Sequence, residues 1–241
     1  MVGLLSCCTP NNPDARTIEN FGDDWMFFLG DPKNAEGTNF NDPHWRNLSV
    51  PHDWSIEGHF SYNHPASADG GALPGGVGWY RKTFTLTAED SGKVFYIDFD
   101  GIYCNSDVWI NGNHLGNRPN GYISFRYDLT PHLHYGEQPN IIAVRVDNSL
   151  QPNAQRYTGS GIYRNVWLVK TGAVHVDHWG SFVTTPEVKP EITSVNIEST
   201  LRNTTNTEQL VDIHTVILNS QGHSMGESTS QRLISNKDTV V

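Results

Sequence analysis

A chain of 241 residues holds one large domain or two ordinary ones, and 37% hydrophobic residues with seven tryptophans suffice for a core. Sixteen Lys and Arg against 26 Asp and Glu give a net charge of −10, with no basic run. That argues against a nucleic-acid partner, which demands positive charge to displace phosphate counterions; the aromatic content suits a sugar or a protein better.

The N-terminus reads MVGLLSCCTPNNPD. Leu4-Leu5-Ser6-Cys7 is similar to a bacterial lipobox, whose cysteine is lipidated after signal cleavage. Only six residues precede Cys7, so either the true start lies upstream or the match is accidental. The first reading makes residues 1–17 a signal remnant and tether, and places the protein in the bacterial periplasm or on the outer membrane as a lipoprotein. No stretch approaches the ~20 apolar residues of a membrane-spanning helix. Besides Cys7 and Cys8 there is Cys104, in an apolar strand pattern without any CxxC.

Strand alternation then replaces helical periodicity. The segment GGALPGGVGWYRKTF (Gly70–Phe84) opens with five glycines and a proline, then places Tyr80, Phe84 and Leu86 on one face. These glycines are expected to form a mobile rim over a pocket. In VFYIDF, Phe95, Ile97 and Phe99 share a face. Next, Cys104, Ser106, Val108 and Ile110 face away from Tyr103, Asn105, Asp107 and Trp109. Asn111-Gly112 follows at once, and predicts a two-residue hairpin. One helical turn is expected at 128–133, with Thr130 as cap and Pro131 at its first position. Ile142, Val144 and Val146 then alternate with Ala143 and Arg145. Near Thr171-Gly172 the texture changes to plain alternating β segments rich in Ser, Thr and Asn, similar to a small Ig-like sandwich. It has 70 residues where such a domain wants about 100, so it reads as incomplete. The fold class is all-β: a jelly-roll β-sandwich over 18–171, followed by a partial Ig-like β-sandwich over 172–241.

No catalytic centre is legible. Glycosidases set two carboxylates about 5–10 Å apart; Asp98 and Asp100 share a strand face, but Asp-x-Asp-Gly at a strand end is ordinary turn chemistry. His132-Leu133-His134 and His175-Val176-Asp177-His178 lack partners at zinc spacing. No phosphate loop, dinucleotide fingerprint or nucleophile elbow is present, and Ser160 reads as a turn serine. Neither cofactor nor metal is expected.

VPHDWSIEG (Val50–Gly58) and GALPGGVGWYRKTF resemble the N-terminal domain of glycoside hydrolase family 2, especially bacterial β-galactosidases. FDGIYCNSDVWINGNHLG, GYISFRYDLTPHL with NIIAVRVDNS, and TGSGIYRNVWL resemble the family in the same order, covering roughly residues 18 to 170. The resemblance implies a sugar-binding jelly roll, an Ig-like domain and a (β/α)₈ barrel that carries both catalytic glutamates and hydrolyses by a retaining mechanism. Nothing in this chain resembles that barrel, so the residues here are expected to buttress it and to be inactive alone. The resemblance further implies that Asn63, in Ser61-Tyr62-Asn63-His64-Pro65, reaches a sugar hydroxyl, with Asp69 second. Ahead of TGSGIYR the family commonly shows Ser-Arg-Trp-Tyr; here Ala154-Gln155-Arg156-Tyr157 stands instead, leaving Arg156 and Tyr157 as weaker sugar contacts. The family also includes mannosidases and glucuronidases. A free-standing carbohydrate-binding module and a surface interaction module remain as alternatives.

Overall fold

The computed structural model describes residues 15–41, 43–68, 70–152, 157–189 and 193–241. Cys7, Asp69 and Arg156 lie outside them. The described chain forms two units, Thr17–Lys170 and Thr171–Val241, the second also taking in Arg16.

The first unit holds β1 (Thr17–Asn20), β2 (Trp25–Leu29), β3 (Arg46–Leu48), β4 (Gly76–Phe84), β5 (Val94–Phe99), β6 (Ser106–Ile110), β7 (Asn113–Arg118), β8 (Phe125–Asp128), β9 (Asn140–Asn148) and β10 (Val166–Thr171). They build a six-stranded sheet, β3-β2-β4-β9-β6-β7, and a four-stranded sheet, β1-β10-β5-β8. Period-two alternation puts Trp25, Tyr80, Val108, Ile142, Val144 and Val146 on the inner face of the larger sheet. There they meet Phe95, Ile97, Phe99 and Leu168 from the smaller one. The outer face of the larger sheet carries its own cluster of Ala35, Trp45, Trp79 and Ala143.

Asn111 and Gly112 take φ of 49° and 78°, closing the hairpin between β6 and β7. The helical turn forms at Thr130–His132 with Pro131 in its first turn, but Leu129 occupies the cap position. Thr130 Oγ1 instead accepts the Phe95 N–H at 2.9 Å, and Asp128 Oδ1 accepts the Thr130 N–H. The expected cap therefore serves a neighbouring strand. Gly76–Gly78 are likewise strand, paired with 146–148 of β9, and not rim.

The second unit contains β11 (Val174–Val188), β12 (Thr193–Asn203), β13 (Gln209–Leu218), β14 (Ser224–Ile234) and β15 (Thr239–Val240). Its sheets are β11-β12-β15 and β13-β14. Asn203 is its polar hub: the buried amide donates to the carbonyls of Thr207, Ile234 and Ser235. Beyond that hub the sandwich stands open. Val195, Ile197, Ile213 and Ile217 line a groove of ≈ 780 Å³.

Candidate functional site

The site grows from one carboxylate. Asp53, in the segment between β3 and β4, accepts the backbone N–H of Ser55 at 2.9 Å and that of Ser160 at 2.9 Å. It also accepts the Tyr157 hydroxyl. The two backbones run together here: the His52 N–H donates to the Ile162 carbonyl and the Trp54 N–H to that of Ser160. Loops more than 100 residues apart in sequence are thus joined at a single side chain.

A buried relay lies beside it. Asn148 Nδ2 donates to Ser160 Oγ at 2.7 Å, and the hydroxyls of Ser160 and Ser55 lie 2.6 Å apart. Ser55 Oγ donates to the Pro74 carbonyl at 2.6 Å. A hydroxyl has one proton to give, so Ser160 must be the donor to Ser55. Trp54 Nε1 reaches the Gly75 carbonyl at 3.1 Å. Pro74-Gly75 is therefore held from two sides. Gly75 needs to be glycine: a Cβ there would lie 2.5 Å from the Asn148 carbonyl oxygen.

Upstream, residues 61–72 form a closed loop. The Ser61 N–H donates to the Ala72 carbonyl at 2.9 Å, the Ala72 N–H to Ser67 at 2.7 Å, and the Gly70 N–H to Ala66. With its ends paired, the loop that the described residues 61–68 and 70–72 trace is a compact Ω-type loop and no slack linker. Asn63 lies two residues past its first paired end. Its backbone N–H donates to Ser61 Oγ, while its exposed side-chain amide has no partner among the described residues. Phe60 and Tyr62 beside it are also exposed.

Of the sequence-derived site residues, Asn63 faces solvent and Tyr157 is occupied by Asp53. Burial, then the Asp53 hydrogen bond, pushes the Tyr157 hydroxyl well above its ordinary pKa. Asp98, the carboxylate weighed for catalysis, is held bidentately by Arg126 at 2.6 and 2.7 Å. Asp100 accepts Trp167 Nε1 at 3.1 Å. No group of three metal-binding side chains forms among the described residues.

Sequence reasoning missed a chain of polar groups that runs from the exposed pair Arg46 and Glu57 through His52 to the buried Tyr80. Arg46 grips Glu57 at 2.7 Å, His52 Nε2 lies 3.3 Å from Glu57, and its Nδ1 lies 2.7 Å from the Tyr80 hydroxyl. The order acid–histidine–hydroxyl mimics a nucleophile relay. Tyr80 is fully buried, however, and cannot meet a substrate. Only the HDW tripeptide could have hinted at either network, and most of its partners lie elsewhere in the sequence, on β3, β4 and the loop before β10.

A second candidate is the outer face of the six-stranded sheet. There Trp79, Trp109, Asp107, His114 and Arg145 floor an open groove of ≈ 510 Å³. Arg145 holds Asp31 bidentately at 2.9 and 2.7 Å, and Trp79 Nε1 donates to the same carboxylate at 2.8 Å. The Arg145 hydrogen bond leads the lowering of the Asp31 pKa.

Residues 77–178 match the glycosyl hydrolase 2 galactose-binding domain-like family. Over 227 residues the chain is 50% identical to a β-galactosidase of Bacteroides ovatus, covering 94% of this chain and 27% of that protein. Over 200 residues it is 42% identical to a putative β-glucuronidase of Formosa agariphila, covering 83% and 19%. In structure it is similar to a glycosyl hydrolase family 2 member from Bacteroides cellulosilyticus, with a TM-score of 0.88, 37% identity, and coverage of 92% and 29%. The chain thus spans at most 29% of the length of these three relatives.

Proposed function

Since this chain belongs to glycoside hydrolase family 2 as an N-terminal, non-catalytic β portion, we propose that it buttresses a catalytic barrel outside these residues and lends the sugar pocket its 61–72 loop. The observation that carries this reading is the unpartnered, exposed amide of Asn63 on a loop closed by its own hydrogen bonds. An amide both accepts and donates, as neighbouring sugar hydroxyls require, and an ordered loop loses little entropy on binding. Asp69 and Arg156 remain proposed sugar contacts. On this reading a terminal β-galactoside is hydrolysed with retention by two barrel carboxylates.

The test is hydrolysis of aryl β-galactoside and aryl β-glucuronide by these 241 residues and by the full-length enzyme. Galactoside turnover by the full-length enzyme alone is expected. Substantial turnover by the 241 residues overturns the reading, and preference for the glucuronide moves the substrate class. By its Leu4-Leu5-Ser6-Cys7 setting, Cys7 is proposed to carry a lipid tether to the bacterial envelope; an unmodified Cys7 in mass spectra of the natively expressed protein would exclude that.

A second reading, autonomous carbohydrate binding, is favoured by the groove over Trp79 and Trp109. Aromatic walls with a few fixed polar groups suit a sugar ligand. Calorimetric titration with galactose, lactose and plant oligosaccharides separates the two. Heat that vanishes in Trp109→Ala supports autonomous binding, and silence leaves the buttress.

A further inference from the structure

Tyr157 does more than cap a carboxylate. Its ring lies against the backbone of Gly71, where a Cβ would stand 3.4 Å from Tyr157 Cδ2 and where φ is +83°. Its hydroxyl, at the other end, donates to Asp53. One side chain therefore clasps the base of the 61–72 loop and anchors it to the 53–55 turn. The anchor is itself held: the N–H groups of Ser55 and Ser160 both donate to Asp53 Oδ1, independently of Tyr157, which donates to Oδ2. The partly open depression among Ala66, Gly70, Tyr157 and Gly159 has ≈ 20 Å³. That is room for about one water and far too little for a pyranose ring. Tyr157 is thus poorly placed to touch sugar on this side, and well placed to set where the loop points.

We propose that Tyr157 and Asp53 are positioning residues for the sugar site: their hydrogen bond, with the Tyr157 ring seated on Gly71, locks the base of the 61–72 loop and holds Asn63 where a substrate hydroxyl meets it. This rests on the reading of Asn63 as a sugar contact. A hydrogen bond to a charged group that fixes a loop is worth roughly tenfold in rate or more when its donor is deleted.

The experiment uses the full-length enzyme and its Tyr157→Phe, Asp53→Asn, Asn63→Ala and Tyr157→Phe/Asn63→Ala variants, with kcat and KM on an aryl β-glycoside the wild type hydrolyses. Tyr157→Phe keeps the ring on Gly71 and deletes only the donor. The expected result is a roughly tenfold loss of kcat/KM in Tyr157→Phe and a comparable loss in Asp53→Asn. The double variant should lose no more than Asn63→Ala alone, because both changes act through one contact. Wild-type kcat/KM in Tyr157→Phe, or losses that multiply in the double variant, overturn the proposal; a purely structural staple would lower thermal stability without that coupling. If Asn63→Ala is silent, or no aryl glycoside is turned over, the sugar-contact reading is what has failed. Amide exchange over residues 61–73 in the 241-residue chain then decides the latch by itself. Faster exchange in Tyr157→Phe upholds it, and unchanged exchange overturns it.

Discussion

The indoles of Trp79 and Trp109 stack at 5.3 Å across the outer face of the six-stranded sheet, although their strands are not neighbours. β9 lies between them, and opposite Trp109 it presents Ala143, fully buried. A small residue on the middle strand is what lets the two rings meet. Ala143→Leu should drive a branched side chain between them and cost about 1–3 kcal/mol by overpacking. Urea unfolding followed by tryptophan fluorescence measures this. A variant as stable as the parent would show that the stack does not depend on that gap.

Acid should weaken the fold in two steps. Burial lowers the pKa of His52 and of His175 below the ordinary 6.5. In the unfolded chain both bind protons as pH falls through about 6.5, while in the folded state they resist. The unfolded state then holds more protons, so stability falls with pH from about 6.5 until the lowered folded values are reached. Glu57, Asp31 and Asp177 also have lowered values, so their contribution is present above the ordinary carboxylate range and is lost below about pH 4. Urea midpoints at about pH 7.5 and about pH 5.5 test the histidine step. A flat profile between them would refute it.

Alternation alone places Tyr80, Phe95, Ile97, Phe99, Val108, Ile110 and Val144 in the core, and the structure buries all seven. Asn111-Gly112 was equally legible, because its turn depends on two adjacent residues. The site was not. Asp53 and Tyr157 meet across 104 positions, and Ser160, which Asn148 holds, meets Ser55 across 105. No local period encodes such pairings. The glycine-rich stretch was only partly legible. That its glycines let the backbone fold closely could be read from the sequence, but the backbone and rings that Gly70, Gly71, Gly75 and Gly78 approach are supplied only by tertiary structure.

Asp98 offers a check on the absence of catalysis in this unit. Arg126 holds it bidentately and also lies over the Tyr96 ring, its guanidinium carbon 4.6 Å from the ring centroid. Both side chains are mostly buried, at 20% and 15% exposure. Asp98→Asn keeps one acceptor and loses the charge, and should cost about 1–2 kcal/mol of stability. Glycosidase activity of the full-length enzyme should not change. A collapse of kcat without loss of stability would return Asp98 to the list of catalytic carboxylates.

Two neighbouring glycines should fail for different reasons. A Cβ on Gly75 would stand 2.5 Å from the Asn148 carbonyl oxygen, which is backbone and cannot swing aside. Gly75→Ala must push the Pro74-Gly75 segment off β9 and strain the Ser55–Pro74 and Trp54–Gly75 hydrogen bonds. The expected cost is about 2–4 kcal/mol. At Gly76 nothing lies within 4 Å of a Cβ, but φ is +109°. Gly76→Ala therefore pays backbone strain alone, roughly 1–2 kcal/mol. Only the first change displaces the relay that leads to Ser160, so only the first should also speed amide exchange at residues 157–161. Equal exchange in the two variants would mean that the glycine segment and the closing loop are not mechanically joined.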